Sequence, residues 1–207
     1  LVCFNGALIT QYTEGSFVDL YSLTLERLDA LQLYQAVSTK FPEISFNIYS
    51  SERWYVEQED EWVKQEAAIT KMDPESISME YFLKEHLPVH KILCMGNPDD
   101  IQKLEDELAG ANLSNISYYR SKDTYMEIVN NQVSKLGALH FLCEKYGVAL
   151  ANTLAIGDNF NDMPMIMHAG KGIAMGNAPD EVKQAADCVT DTNDENGFYK
   201  ALMKIFG

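Results

Sequence analysis

Residues 24–41 (TLERLDALQLYQAVSTKF) repeat apolar side chains three and four apart. That spacing predicts an amphipathic helix capped by Thr24 and stopped by Pro42. Two alternating runs follow, ISFNIYS (44–50) and RWYVE (53–57), separated by the polar Ser50, Ser51 and Glu52. Period-two patterning around a polar break predicts a hairpin. An acidic helix is expected around 59–69, and the apolar run VHKILCMG (89–96) reads as a strand. NPDDIQKLEDELAG (97–110) has a capping Asn, a Pro in the first turn and a closing Gly, the punctuation of a helix. ISYYRS (116–121) and TYMEIV (124–129) are further strands, so the middle of the chain is α+β.

From Ser134 the rhythm changes to alternation of helix and strand. SKLGALHFLCEKYGV is a helix ending at Gly147, NTLAIG a strand, DMPMIMHAG a short helix and GIAMG a strand. APDEVKQAAD is then a helix, CVT a short strand and NGFYKALMKIF a closing helix. Short loops between such elements predict a parallel, doubly wound sheet. The opening LVCFNGALI reads as a buried strand entering an Asn-Gly turn. A fold rarely begins on a core strand with no lead-in, so further sequence is expected before Leu1. If that strand joins the parallel sheet, the middle region is an insertion, and the compositional break at residues 120–124 marks its far boundary.

The 207 residues are 46% hydrophobic, enough for one large domain or two modest ones. The net charge of −15 repels nucleic-acid phosphates and anionic lipid, which argues against both as partners. No apolar run is long enough to span a bilayer, and none follows a basic segment as in a signal peptide. Cys3, Cys94, Cys143 and Cys188 are scattered among apolar neighbours, which predicts buried free thiols in a reducing cytoplasm. The Asn112 and Asn115 sequons carry little weight without a secretory signal.

The candidate chemistry lies in LAIGDNFNDMPMI (154–166), which places two acids and two asparagines between a strand and a helix. Ligands of open α/β sheets bind beyond the carboxyl ends of the strands, where Asp158 follows Gly157. Asp162 has a structural explanation as the cap of the next helix, with Pro164 in its first turn. Asp158, Asn159 and Asn161 suit a hard cation such as Mg²⁺, which takes oxygen ligands and shares a phosphate. A polar loop with no ligand also fits the pattern. EF-hand spacing fails here, because Phe160 and Met163 occupy the third and sixth positions. In Asp191–Gly197 the Gly comes one position late.

Lys135 is the second clue. With Ser134 as cap, it falls in the first turn of a helix, where the dipole repels a cation by a few tenths to about 1 kcal/mol. An anion between Lys135 and the helix terminus removes that tension. An exposed Lys carrying its charge into water explains it equally. A hard-metal carboxylate and an anion-seeking Lys together read as phosphoryl chemistry.

G-D-x-x-N-D, here Gly157-Asp158-Asn159-Phe160-Asn161-Asp162, resembles the fourth motif of the haloacid dehalogenase superfamily. VSKLGAL resembles the third, while FNGALI and GIAMGNAPDEVKQAADCVTDTNDENGF are similar to its Cof-type branch. The resemblance implies a doubly wound α/β Rossmann-like core, incomplete at its N-terminus, with an inserted α/β cap. The divisions are then 1–14 for the core strand and linker, 15–122 for the cap and 123–207 for the C-terminal part of the core. It also implies a Mg²⁺-dependent phosphatase acting on small phosphorylated metabolites, commonly sugar phosphates, through an aspartyl-phosphate. Asp158 would hold Mg²⁺ with Asn159 as a further ligand, Asn161 would contact phosphate, Lys135 would stabilise the phosphoryl charge, and Asp162 would anchor the site. Asn5 would face it from the core-to-cap crossover, and Glu127 from the returning strand.

Two departures stand against that pattern. The nucleophilic Asp-x-Asp is not among these residues, nor is a second-motif Ser/Thr on a strand before the cap, and Leu136 follows Lys135 where a Gly is usual. A degenerate, non-catalytic relative that binds through its cap is the alternative. A P-type cation pump shares G-D-x-x-N-D but requires membrane spans. Trp54, Tyr55 and Trp62 either pack over a sugar or fill the core. The residues leave oligomeric state open between a monomer and a weak dimer.

Overall fold

The computed structural model describes every residue except His86 and Asn112, so the first sequon lies outside the described residues. Its contacts divide the chain into two compact units, Leu1–Val133 and Ser134–Gly207. The first unit runs β1 (Val2–Cys3), β2 (Leu8–Thr13), β3 (Ser16–Ser22), α1 (Arg27–Lys40), β4 (Ser45–Ser50) and β5 (Arg53–Val56). It continues with α2 (Glu61–Thr70), β6 (Glu75–Ser76), α3 (Met79–Lys84), β7 (Lys91–Met95), α4 (Pro98–Gly110), β8 (Ile116–Lys122) and β9 (Tyr125–Asn130). The second unit runs α5 (Lys135–Tyr146), β10 (Leu154–Gly157), α6 (Met163–His168), β11 (Lys171–Ala174), α7 (Asp180–Ala185), β12 (Cys188–Val189) and α8 (Gly197–Phe206).

The first unit is built on a six-stranded sheet ordered β6-β5-β4-β7-β9-β8, antiparallel except for the β5–β6 pair. The expected hairpin pairs Asn47 with Val56 and Tyr49 with Trp54. One face packs on α1, α3 and α4 through residues at helical spacing, among them Ala30, Leu33 and Val37, and Ile101, Leu104 and Leu108. The other face is covered by α2 over Tyr49, Trp54, Val56, Leu93, Met95 and Tyr125. Trp54 is 1% exposed, and its indole N–H donates to the buried Asn47 Oδ1 at 2.9 Å. Tyr55 is also buried, so these two rings are core rather than a platform for sugar, while Trp62 is half-buried against the cluster that contains Trp54.

Several expectations are corrected here. The opening strand is neither buried nor part of a parallel sheet. Leu1 and Val2 are 72% and 45% exposed, and β1 pairs antiparallel with β2 in a three-stranded sheet completed by β3. The Asn-Gly turn does form, with Phe4, Asn5 and Gly6 all at positive φ. Helix α1 starts at Arg27 rather than after Thr24. The Leu25 N–H donates to Val89 O and Asn130 donates to Thr24 O, which holds both residues extended. The break at residues 120–124 is the turn of the β8–β9 hairpin. Because β9 also pairs with β7, the boundary between compact units falls at Val133/Ser134 instead. Of the four free cysteines only Cys94 is fully buried, and burial pushes its thiol up to about 12; the other three are half-buried.

His90 ties the β2–β3 hairpin to the larger sheet. Its Nδ1 accepts the Ser51 N–H at 3.0 Å, and its Nε2 lies 2.9 Å from Ser22 Oγ. Burial holds the imidazole below its ordinary pKa.

The second unit has the predicted alternation. Its parallel sheet is ordered β10-β11-β12, with α6 and α7 as the crossovers. Helix α5 opens at the predicted cap, where Ser134 Oγ accepts the Gly137 N–H at 2.9 Å. It closes at Gly147, whose φ of +64° is the left-handed conformation that glycine adopts without cost. No helix among the described residues is long and apolar enough to cross a membrane.

Both tryptophans lie in the first unit, so their fluorescence reports on it alone. Trp54→Ala is expected to destabilise that unit by about 3–5 kcal/mol. Denaturant unfolding followed through Trp62 measures the loss, and an unchanged midpoint would contradict the packing described.

Candidate functional site

The second unit places its polar cluster at the carboxyl end of β10, where the strand turns toward α6. Asp162 organises the turn. It is 3% exposed, yet it does not cap α6 with its side chain as the sequence suggested. Its carboxylate folds back instead, and Oδ2 accepts the backbone N–H groups of Asp158 at 3.0 Å and Asn159 at 3.1 Å. The Asp162 N–H in turn donates to Asn159 O at 3.0 Å, so the loop is closed from both sides. Gly157 makes room for this. A Cβ there would lie 2.3 Å from the Asp162 Cβ, a distance no real pair of carbons tolerates.

The other Asp162 oxygen, Oδ1, accepts from Lys135 Nζ. The cation in the first turn of α5 is therefore matched by an anion of the chain itself. A buried carboxylate is tolerated only when paired and hydrogen-bonded, and here both conditions hold. The Lys135 side chain remains 30% exposed. An ammonium has three donors, so the contact with Asp162 leaves capacity for a second anion.

Asp158 itself is exposed. Its Oδ2 accepts from Asn177 Nδ2 at 3.3 Å. Asn159 is exposed as well, and its Oδ1 accepts the N–H of Phe160 at 2.8 Å. Asn161 is half-buried in the same turn. The structure thus gathers Lys135, Asp158, Asn159, Asn161 and Asp162 around one short loop.

Asn5 and Glu127 belong to the other unit. Asn5 sits in its left-handed turn and donates to the Tyr119 hydroxyl, which donates to Glu127 Oε2 at 3.0 Å. Lys91 lies 3.4 Å from the same carboxylate and 4.5 Å from the centroid of the Tyr49 ring. Burial and the neighbouring Glu127 raise the Tyr119 phenol well above its usual range.

The sequence reading missed Asn177. It stands three residues beyond β11, the strand beside β10, and approaches Asp158 across the sheet edge. The available signal was its place just after the Gly176 that closes that strand run, at the same sheet edge as Asp158.

A hard cation can be tested against these donors. Asp158 offers an exposed carboxylate with one oxygen held by a neutral amide, which suits Mg²⁺, an ion that keeps several waters and binds through one or two carboxylates plus phosphate. Among the described residues no three His, Cys, Asp or Glu side chains cluster as a complete metal cage. The residues present fit a partial ligand set.

Comparison with known proteins bears on the whole chain. A family model for haloacid dehalogenase-like hydrolases matches residues 1–202. A Haemophilus influenzae protein named "Putative phosphatase" is 34% identical over 207 residues, covering all of this chain and 76% of that one. YcsE of Bacillus subtilis, a 5-amino-6-(5-phospho-D-ribitylamino)uracil phosphatase, is 46% identical over 82 residues, 40% of this chain and 33% of its own. The crystal structure of a haloacid dehalogenase-like hydrolase from Bacteroides thetaiotaomicron superposes with a TM-score of 0.85 at 33% identity, over 98% of this chain and 74% of that one. The HAD subclass IIB sugar phosphatase BT4131, at 21% identity and a TM-score of 0.75 over 97% and 73% of the two chains, shares the fold.

Asp162→Ala removes the acceptor of two backbone donors and the partner of Lys135. It is expected to cost the second unit about 3–5 kcal/mol, as for one half of a buried ion pair. Hydrogen exchange of the amides in β10 and α6 would read it, with faster exchange confined to residues 134–207.

Proposed function

The chain belongs to the haloacid dehalogenase-like hydrolases, and we propose that it is a Mg²⁺-dependent phosphatase of small phosphorylated metabolites, with sugar phosphates the leading class. The observation that carries the reading is the Asp162 carboxylate, which ties Lys135 to the backbone of Asp158 and Asn159. A phosphoryl group carries charge on three equatorial oxygens, and its transfer is catalysed by positioning and by neutralising that charge. Lys135 supplies one fixed positive charge, with donors to spare beyond Asp162. Asp158 supplies the carboxylate that would hold the metal, with Asn159 beside it, and Asn161 in the same turn would contact phosphate. Bound Mg²⁺ would contribute charge neutralisation and orientation of the phosphoryl oxygens.

The attacking carboxylate is a separate requirement. No Asp-x-Asp occurs among the 207 residues, so the reading assigns that role to sequence outside them. Asn5 and Glu127, joined through Tyr119, are proposed to act in substrate recognition from the first unit. The four free thiols and the metabolite substrate suit a cytoplasmic setting. A non-catalytic binding protein is the second reading, favoured by the same absence of Asp-x-Asp.

The test is hydrolysis of an aryl phosphate by the full-length gene product with and without Mg²⁺. Chelation should abolish turnover, and Asp158→Ala should do the same. Lys135→Ala should lower kcat by about 10²–10³-fold, the scale of losing one preorganised charge-stabilising donor. Turnover that survives in Asp158→Ala contradicts the phosphatase reading, and no turnover by the full-length protein favours the binding reading.

A further inference from the structure

We infer that Asn177 is a positioning residue that aims the Asp158 carboxylate at its cation. The inference rests on the metal role proposed for Asp158 and extends it to a neighbouring strand. Exposed carboxylates rotate freely, and a ligand that must be ordered on binding loses affinity to that ordering. Asn177 limits Asp158 from the neighbouring strand, through Nδ2 and Oδ2 at 3.3 Å. One carboxylate oxygen is thereby tied to the protein, which limits rotation of the group.

The Asn177 amide is itself oriented. Its Oδ1 accepts the backbone N–H of Asn193 at 3.0 Å. A flipped amide would oppose two donors there, so Nδ2 must face Asp158. Asn193 opens a single helical turn, Asn193–Glu195, that is held by a capping box. Thr192 Oγ1 donates to Glu195 Oε2 at 2.9 Å. The N–H of Gly176 donates to Asp191 O at 3.1 Å, which brings this turn against the start of the Asn177 segment. Gly176 permits that approach, since a Cβ there would lie 2.8 Å from Thr192 N. On the other side the sheet ladder continues past the end of β11, with the Met175 N–H donating to Gly157 O at 2.9 Å. Asn177 is therefore fixed relative to Asp158 by backbone contacts on both flanks.

Such outer contacts on a ligating side chain govern its orientation, and their removal commonly costs metal affinity without unfolding the protein. The test is a Mg²⁺ titration of the ¹⁵N-labelled full-length gene product, read by the amide resonances of residues 157–161. Asn177→Ala is expected to raise the midpoint about tenfold, with resonances outside residues 157–161, 174–178 and 190–197 unchanged. A wild-type midpoint in that variant overturns the positioning role and leaves the metal role of Asp158 standing. A wild-type protein whose Asp158 resonance ignores Mg²⁺ overturns both. Should Asn177→Ala fail to fold, the wild type still decides. The Asn177 side-chain amide resonances must shift in step with Asp158 as Mg²⁺ is added, and their indifference overturns the inference.

Discussion

A single buried carboxylate sets the geometry of the second unit's polar edge. Asp162 is nearly inaccessible, and each oxygen is engaged by a separate element: Oδ1 by the first residue of α5, Oδ2 by the turn that leaves β10. Leaving such a group unpaired would cost several kcal/mol, so its partners are held as firmly as it is. Gly157 is the steric counterpart, since only a residue without a Cβ lets the carboxylate enter the turn. Exposed Asp158 owes its location to a neighbour that never reaches solvent. In this site the buried acid is structural and the exposed acid is the one available for chemistry.

That division explains what could be read from the sequence. Residues 134–207 alternate strand and helix with clear caps and glycine stops, so Ser134, Gly147, β10 and β11 fall where the pattern put them. Lys135 and Asp162 both stand out in the sequence, but their pairing with each other does not. A charge in the first turn of a helix looked like a call for an external anion, and an acid before Met-Pro looked like a helix cap. Each was the other's partner, 27 residues apart, and no local rule reveals a pairing at that separation. Asn177 escaped for a similar reason. Its contact with Asp158 depends on β10 and β11 being adjacent and parallel, a fact of topology.

The first unit was legible where apolar spacing was regular and less so elsewhere. The β4–β5 hairpin and α4 carry clean periodicity and appear in place. The opening strand misled because apolar composition does not distinguish a core strand from a short antiparallel edge, and Leu1 and Val2 are in fact exposed. The β2–β3 hairpin was not anticipated, since most of β3 faces solvent and carries no apolar alternation to announce it. Thr24 looked like a cap because capping residues are recognised locally, whereas its backbone is claimed by Asn130 from a distant strand. Trp54 and Tyr55 illustrate the same limit. A hairpin aromatic is equally suited to a ligand or to a core, and only the packing of α1, α2 and α3 decides.

Cys94 sits in the central strand β7 with no exposed surface, and its thiol is held almost entirely in the protonated form. Because the thiolate is the species that reacts, this sulfur is chemically silent for as long as the sheet stays closed. It becomes an alkylation target only in molecules whose six strands have come apart. The cysteine thus acts as a built-in clock, one whose rate of modification counts openings of the first unit.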